Sequence, residues 1–182
     1  MEIQRLAIAD VVLLCPKVFG DQRGFFLESW NRKKFAELGL DFDFVQDNHS
    51  RSARHILRGL HYQVQNTQGK LVRVTCGSVF DVTVDMRRSS ATFGRWVGVE
   101  LSAANHQILW VPPGFAHGFL VLSESADFQY KCTDYYSPAH ERSLAWNDPD
   151  VGIEWPLPKG VSPQLSAKDA AGTPFRDAET FA

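Results

Sequence analysis

Apolar and polar positions alternate through the middle of the chain. LVRVTC (71–76) and VFDVTVDM (79–86) read as strands on either side of Gly77-Ser78, which the pattern predicts to be a two-residue turn. WVGVEL (96–101), HQILWV (106–111), GFLVL (118–122) and DFQYKCTDYY (127–136) follow, spaced by Gly, Pro, Asn and Ser clusters. Short strands at such steady intervals predict an antiparallel sandwich or barrel. One early helix is expected at 31–38. There Asn31 can cap the start, KKFAEL favours a helix, and Gly39 suits a left-handed C-terminal cap. From about 156 onward, PLPKGVSPQLSAKDAAGTPFRDAETFA is rich in Pro, Gly and Ala and is expected to lie on the domain as an extended tail with one short helix. The expected fold is therefore all-β, a jelly-roll-like barrel with a short N-terminal helix and an extended C-terminal tail, forming one domain over 1–182.

At 182 residues, 44% hydrophobic and 22% charged, the chain can bury a sizeable core. A formal net charge of -2 provides no basic field for nucleic acid, so an anionic ligand has to be held by a few placed Arg and Lys side chains. The N-terminal MEIQRLAIADVVLLC has no basic leader region and only a short apolar run, so neither a signal segment nor a membrane span is expected. Cys15, Cys76 and Cys132 are widely spaced and odd in number. They are expected to be free, mostly buried thiols in a reducing cytosol.

A barrel keeps its inner face apolar unless it encloses a ligand, which makes polar residues inside strands the informative ones. LRGLHYQ (57–63) carries Arg58 and His61, and Lys70 opens the next strand. PPGFAHGF (112–119) places His117 after a Pro-Gly turn, YKCTDYY (130–136) holds Tyr130, Tyr135 and Tyr136, and SAKDAAG (166–172) holds Lys168 and Asp169. Metal-binding barrels of the cupin type use three His and one Glu. Pro112–His117 fits the second half of that motif, Pro-x-Gly-x-x-His, but His61 is followed by Tyr62 and Gln63 and the next acidic residue is Asp81. Two histidines fall short of the three or four donors a first-row ion needs, so no metal is expected.

The chemistry left is acid–base. An imidazole oriented by a carboxylate is a general base near neutral pH, a phenol can return a proton, and a lysine can stabilise an oxyanion. His61, Asp169, Tyr130 and Lys70 are the groups needed to abstract a proton next to a carbonyl. Taken singly, each is better read as a satisfied structural residue, and the case rests on the set. QDNHS (46–50) could be a polar loop capping its own backbone, and Arg23 a turn residue paired with Glu28. His49 and His106 read as surface residues, Tyr135 and Trp146 as core or rim aromatics, and Phe26 as packing or pocket lining.

Taken together the segments are more specific. FGDQRGFFLESWN (19–31), FVQDNHSRS (44–52), LRGLHYQ, QGKLVRV (68–74), GSVFDVTVDMRRSSATFGRW (77–96), WVPPGFAHGFLVLS (110–123), YKCTDYYSPAHERSLAWND (130–148) and LSAKD (165–169) run in order with few gaps. In them the chain closely resembles the dTDP-4-dehydrorhamnose 3,5-epimerases, from about residue 3 to about 170. The resemblance implies a cupin-type barrel and assigns His61 as the base acting at C3 and C5 of a 4-keto sugar, with Asp169 as its partner. Tyr130 would return a proton at C5, and Lys70, with His117, would face the C4 oxygen. Arg58, Arg23 and Lys168 would contact the diphosphate or its surroundings. Glu28, Gln46, Asp47 and Asn48 would form the nucleotide pocket, Tyr136 would stack on thymine, and Glu141 would fall in the substrate pocket. The implied substrate is dTDP-4-dehydro-6-deoxy-glucose, with no cofactor. The implied assembly is a cytoplasmic homodimer with exchanged N-terminal strands, whose partner supplies part of each site.

Two departures are visible. Arg54-His55-Ile56 stands where the family usually has a glycine and a valine, and the loop VQNTQ (64–68) lacks the prolines often found there. Neither removes a catalytic group. Alternatives are an epimerase of one centre only, a ketoisomerase on a related barrel, and a non-catalytic sugar-nucleotide-binding protein. Asp169 speaks against the second, and the paired presence of His61 and Asp169 against the third.

Overall fold

The computed structural model describes residues 1–182. It is mostly β, with strands β1 (Glu2–Arg5), β2 (Val12–Cys15), β3 (Val18–Asp21), β4 (Gly24–Leu27), β5 (Gln46–Ala53), β6 (Leu57–Gln63), β7 (Lys70–Cys76), β8 (Ser78–Asp85), β9 (Trp96–Ser102), β10 (Ile108–Val111), β11 (Phe115–Val121), β12 (Ser125–Cys132) and β13 (Glu141–Ser143). Two short helices interrupt this order, α1 (Arg32–Glu37) and α2 (Ala167–Ala170). No helix is long and apolar enough to cross a membrane.

Every named strand pairing is antiparallel. A six-stranded sheet runs β1-β2-β10-β7-β12-β5, a five-stranded sheet runs β13-β6-β11-β8-β9, and β3-β4 form a separate hairpin. The period-two pattern decides which side chains meet between the sheets. Val72, Val74, Leu109 and Phe128 from the larger sheet pack with Val79, Leu101, Phe115, Phe119 and Val121 from the smaller one. Phe119 stacks on Phe128 at 4.1 Å between ring centres. The alternate residues of the smaller sheet face outward, Val82, Val84 and Ala116 among them, and the C-terminal segment covers them with Trp155, Phe175 and Phe181. This double covering explains why Phe115–Val121 is buried at every position. The outer face of the larger sheet buries Leu14, Leu71 and Trp110 against Phe35 of α1, which Asn31 caps by accepting from the Lys34 amide.

Several expectations need correction. Gly77-Ser78 is not a hairpin turn, because β7 and β8 belong to different sheets. The link is a crossing between layers that requires a left-handed residue. Gly77 has φ +72, and a Cβ there would come within 2.0 Å of the Ser125 carbonyl oxygen. The strand expected over 127–136 ends at Cys132, and Thr133–Tyr136 leave the sheet as a loop. QDNHS is not a loop but the start of β5, paired with β12 from Gln46↔Cys132 to Ala53↔Ser125. Of the three free thiols only Cys132 is buried, while Cys15 is intermediate and Cys76 exposed.

Candidate active site

The site forms where the two sheets face each other across polar rather than apolar residues. His61 points inward from β6, and α2 brings Asp169 to it from the tail, 108 residues later in the chain. His61 Nε2 lies 2.6 Å from Asp169 Oδ1. The same oxygen accepts from the Gly59 amide at 3.1 Å, and the Ser166 hydroxyl donates to Oδ2 at 2.6 Å. Ser166 also caps α2 by accepting from the Asp169 amide, so one residue fixes both the helix start and the carboxylate. Burial pushes the Asp169 carboxyl up, but the bonds from His61, Ser166 and Gly59 outweigh it and hold the group at about 2.

A carboxyl depressed on folding stabilises the protein above its unfolded value, and this contribution is lost as pH falls through the folded one. From 3.8 to about 2 this amounts to about 2 kcal/mol. Asp169→Asn should therefore be less stable than the wild type at pH 6, with about half of that difference gone at pH 3. Urea midpoints of the two proteins at both pH values measure it. A difference independent of pH would refute the assignment of Asp169 as an ionised, hydrogen-bonded partner.

A second imidazole–carboxylate pair lies deeper. His117 Nε2 is 2.9 Å from Asp81 Oδ1 and 3.0 Å from Oδ2, and both residues are buried. In the sequence Asp81 stands only as the next acid after His61, twenty residues on. The available signal was an acid at an inward position of VFDVTVDM, one strand away from where β11 puts His117. Both histidines thus direct a ring nitrogen to a carboxylate, and no group of three or more His, Cys, Asp or Glu side chains able to hold an ion comes together.

Three adjoining hollows meet at Tyr130. One, of about 160 Å³, is lined by Ser50, Arg58, His61, Lys70, His117 and Tyr130. A second, of about 70 Å³, adds Gln63, Gln68, Tyr136 and Glu141 to His61, Lys70 and Tyr130. The third, of about 310 Å³, is bordered by Trp30, Asp47, Asn48, Arg73 and Tyr130. Burial pushes the Tyr130 hydroxyl up to about 12, so it holds its proton at neutral pH. Burial lowers the Lys70 ammonium, and the Asp81 and Glu141 carboxylates act on it only at a distance, without a hydrogen bond or ion pair. An unpaired ammonium enclosed beside an imidazole and a phenol is placed to meet an oxygen that becomes negative.

The expected residues divide clearly. His61, Asp169, Lys70, Tyr130, His117 and Arg58 converge, and Arg58 is steadied by donating to Ser52 Oγ at 2.9 Å. At the rim, Tyr136 donates to Glu141 Oε2 at 2.7 Å and Lys168 Nζ lies 2.5 Å from Glu141 Oε1. Gln46 holds this rim by accepting from the Tyr136 amide and donating to Asn48, while Asp47 is engaged by Lys131. Arg23 and Glu28 do not join the site within one chain. Arg23 sits on the β3–β4 hairpin with 85% of its side chain exposed, and it pairs with Asp21 rather than Glu28. Glu28 pairs with Lys34 and accepts from Asn31. Phe26 is exposed on the same hairpin, Tyr135 is exposed rather than core, and His106 rests on Phe25.

Comparison with known proteins adds a second line. A family model described as dTDP-4-dehydrorhamnose 3,5-epimerase matches residues 5–177. The protein of that name from Pseudomonas aeruginosa is 59% identical over 182 residues, covering 100% of this chain and 99% of its own. The one from Salmonella typhimurium is 60% identical over 173 residues, 94% of this chain and 93% of its own. Among solved structures, the dTDP-6-deoxy-D-glucose-3,5-epimerase of Legionella pneumophila, in complex with dTDP-4-keto-L-rhamnose, superposes with TM-score 0.94 at 53% identity, covering 98% of this chain and 94% of that one.

Proposed function

The chain belongs to the dTDP-4-dehydrorhamnose 3,5-epimerase family, and on that footing we propose that it inverts C3 and C5 of dTDP-4-dehydro-6-deoxy-D-glucose in dTDP-L-rhamnose biosynthesis. The observation that carries the reading is a histidine–carboxylate pair enclosed with an unpaired lysine and a protonated tyrosine.

The chemistry follows from the ketone. A C–H next to C4 is acidic only when the electrons left behind flow onto the C4 oxygen and are stabilised there. His61 takes the proton from C3 or C5 and becomes imidazolium, which Asp169 supports. Lys70, with His117 held by Asp81, faces the growing enolate oxygen. Reprotonation on the opposite face inverts the centre, and Tyr130 delivers that proton at C5. Water supplies the proton at C3 and, by exchange, returns His61 and Tyr130 to their starting states; no redox partner enters the balance, and no cofactor is part of this proposal. The diphosphate falls to Arg58 and Lys168, whose cations suit it, and thymine to Tyr136 and the Gln46–Asn48 strand. Binding energy from this remote part positions the sugar.

The two packed sheets are read as a cupin-type jelly roll forming a single domain over 1–182, with the tail from about 156 supplying Lys168 and Asp169. The assembly is read as a cytoplasmic homodimer that exchanges its N-terminal strands. Val18, Phe19, Phe25 and Phe26 are 39%, 54%, 64% and 69% exposed on the β3–β4 hairpin, an apolar arm that supports a partner surface. Arg23 and Glu28 would then serve the neighbouring subunit's site.

Proton NMR of the protein with this substrate in D2O, with EDTA present, tests the reading. Deuterium at both C3 and C5 is the expected outcome, and Tyr130→Phe should retain exchange at C3 while losing net inversion at C5. Exchange at one carbon in the wild type would make it a single-centre epimerase. A carbonyl moved along the ring would make it a ketoisomerase, and no exchange would leave a binding protein.

A further inference from the structure

Glu141 is the one carboxylate lining the hollow it shares with His61, Lys70 and Tyr136, and both of its oxygens are engaged. It opens β13 next to Gln63, two residues before the partner of His61 in the sheet, and only 15% of its side chain is exposed. Oε1 is paired with Lys168 and Oε2 accepts from Tyr136. In the reading above these two groups receive the substrate's diphosphate and its base. Partial burial pushes the Glu141 carboxyl up, but Lys168, Tyr136 and the charge of His61 outweigh it and leave the group below its ordinary range.

We propose that Glu141 stands in for the diphosphate in the empty enzyme and, once the substrate displaces it from Lys168, serves His61 as a positioning carboxylate. The inference rests on the epimerase reading. A diphosphate offers Lys168 more charge than one carboxylate does, and its arrival draws the lysine away. Glu141, held by β13 and partly out of water, cannot follow. It then faces the standing charge of Lys70 and the new charge of the imidazolium that forms when His61 takes a proton, both in the same hollow. The pair with Lys168 is therefore lost in the ground-state complex, and an attraction to His61 is gained only as the proton moves. An interaction that strengthens toward the transition state raises kcat, whereas one present only in the empty enzyme weakens binding.

The neighbours define what else faces this carboxylate and the base. Asp169 and Lys168 come from α2, Lys70 from β7, Tyr130 from β12, His117 from β11 and Tyr136 from the loop after β12. Asp169 already holds Nε2 of His61, so Glu141 acts through charge and not through that hydrogen bond.

The test separates two effects of opposite sign. Glu141→Gln should bind dTDP more tightly, by roughly threefold to tenfold in calorimetry, because the competing carboxylate is gone. Its kcat should fall by roughly tenfold. In a Lys168→Met background the gain in dTDP affinity should vanish, since no lysine remains to be released. Glu141→Asp, whose shorter arm loosens the pair, should show both effects at smaller size should the glutamine protein fold poorly. Weaker dTDP binding by Glu141→Gln, or an unchanged kcat, would overturn the inference and make Glu141 an ordinary substrate contact or a rim brace. Wild-type exchange in D2O is read alongside. Its absence would remove the epimerase reading itself, and its presence with the wrong signs at Glu141 would remove only this inference.

Discussion

His61→Asn is expected to lower turnover by about 10³-fold, with dTDP affinity close to that of the wild type. Asp169 keeps its bonds from the Gly59 amide and the Ser166 hydroxyl, so the tail stays docked. The Asn amide is shorter than the imidazole and does not reach the place from which Nε2 meets Asp169 Oδ1 at 2.6 Å. Nor can it accept a proton near neutral pH. The same base serves both carbons in the proposed mechanism, so deuterium incorporation at C3 and at C5 should fall together. Single-turnover kinetics and a dTDP titration on the same preparation check this. Surviving exchange at either carbon would mean that another group takes that proton. The second dyad, His117 with Asp81, would be the next one to examine, because it opens onto the same cavity.

Lys70→Met should lower kcat/KM by about 10² to 10³-fold, the usual size for one donor facing a developing oxyanion. Its effect on stability should have the opposite sign. The Lys70 ammonium is enclosed with neither a hydrogen bond nor an ion pair, and burial lowers it against the distant attraction of Asp81 and Glu141. A cation whose folded value is lowered is charged at a cost below its unfolded value, and that cost is relieved as pH rises. An apolar chain of similar length removes the cost, so urea midpoints at pH 7 should be equal to or above those of the wild type. A variant that is both inactive and less stable would show that Lys70 braces the fold. One that is active would show that the enolate is stabilised elsewhere, with His117 the nearest candidate.

The opposite signs at Lys70 follow from how the site is built. A polar group retained inside a barrel without a partner is held against stability, and the substrate oxygen is the group that would satisfy it. Asp169 shows the other arrangement. It is fully satisfied by His61, Ser166 and Gly59, and so it stabilises the fold while fixing the His61 ring.

Much of this was legible in the chain itself. Alternation marked β7 to β12 because side chains on a pleated strand face opposite sides, so a half-buried strand writes its two faces into successive residues. The same rule exposed Arg58, His61 and Lys70 as polar residues in otherwise apolar runs. What the pattern could not encode was partnership. A run of alternating residues states which face it buries but not which strand lies beside it, so Gly77-Ser78 reads as a hairpin whether or not its strands pair. The polar β5 is a strand because eight residues of β12 hold it, a pairing that local propensity would not choose. His61 meets Asp169 across 108 residues, and His117 meets Asp81 across 36, because packing of the two sheets and the tail buries their surroundings together. Which residues could do the chemistry was thus set by their types and their positions in strands. Which of them face one another was decided only by tertiary packing, since burial rewards apolar contact without regard to sequence distance.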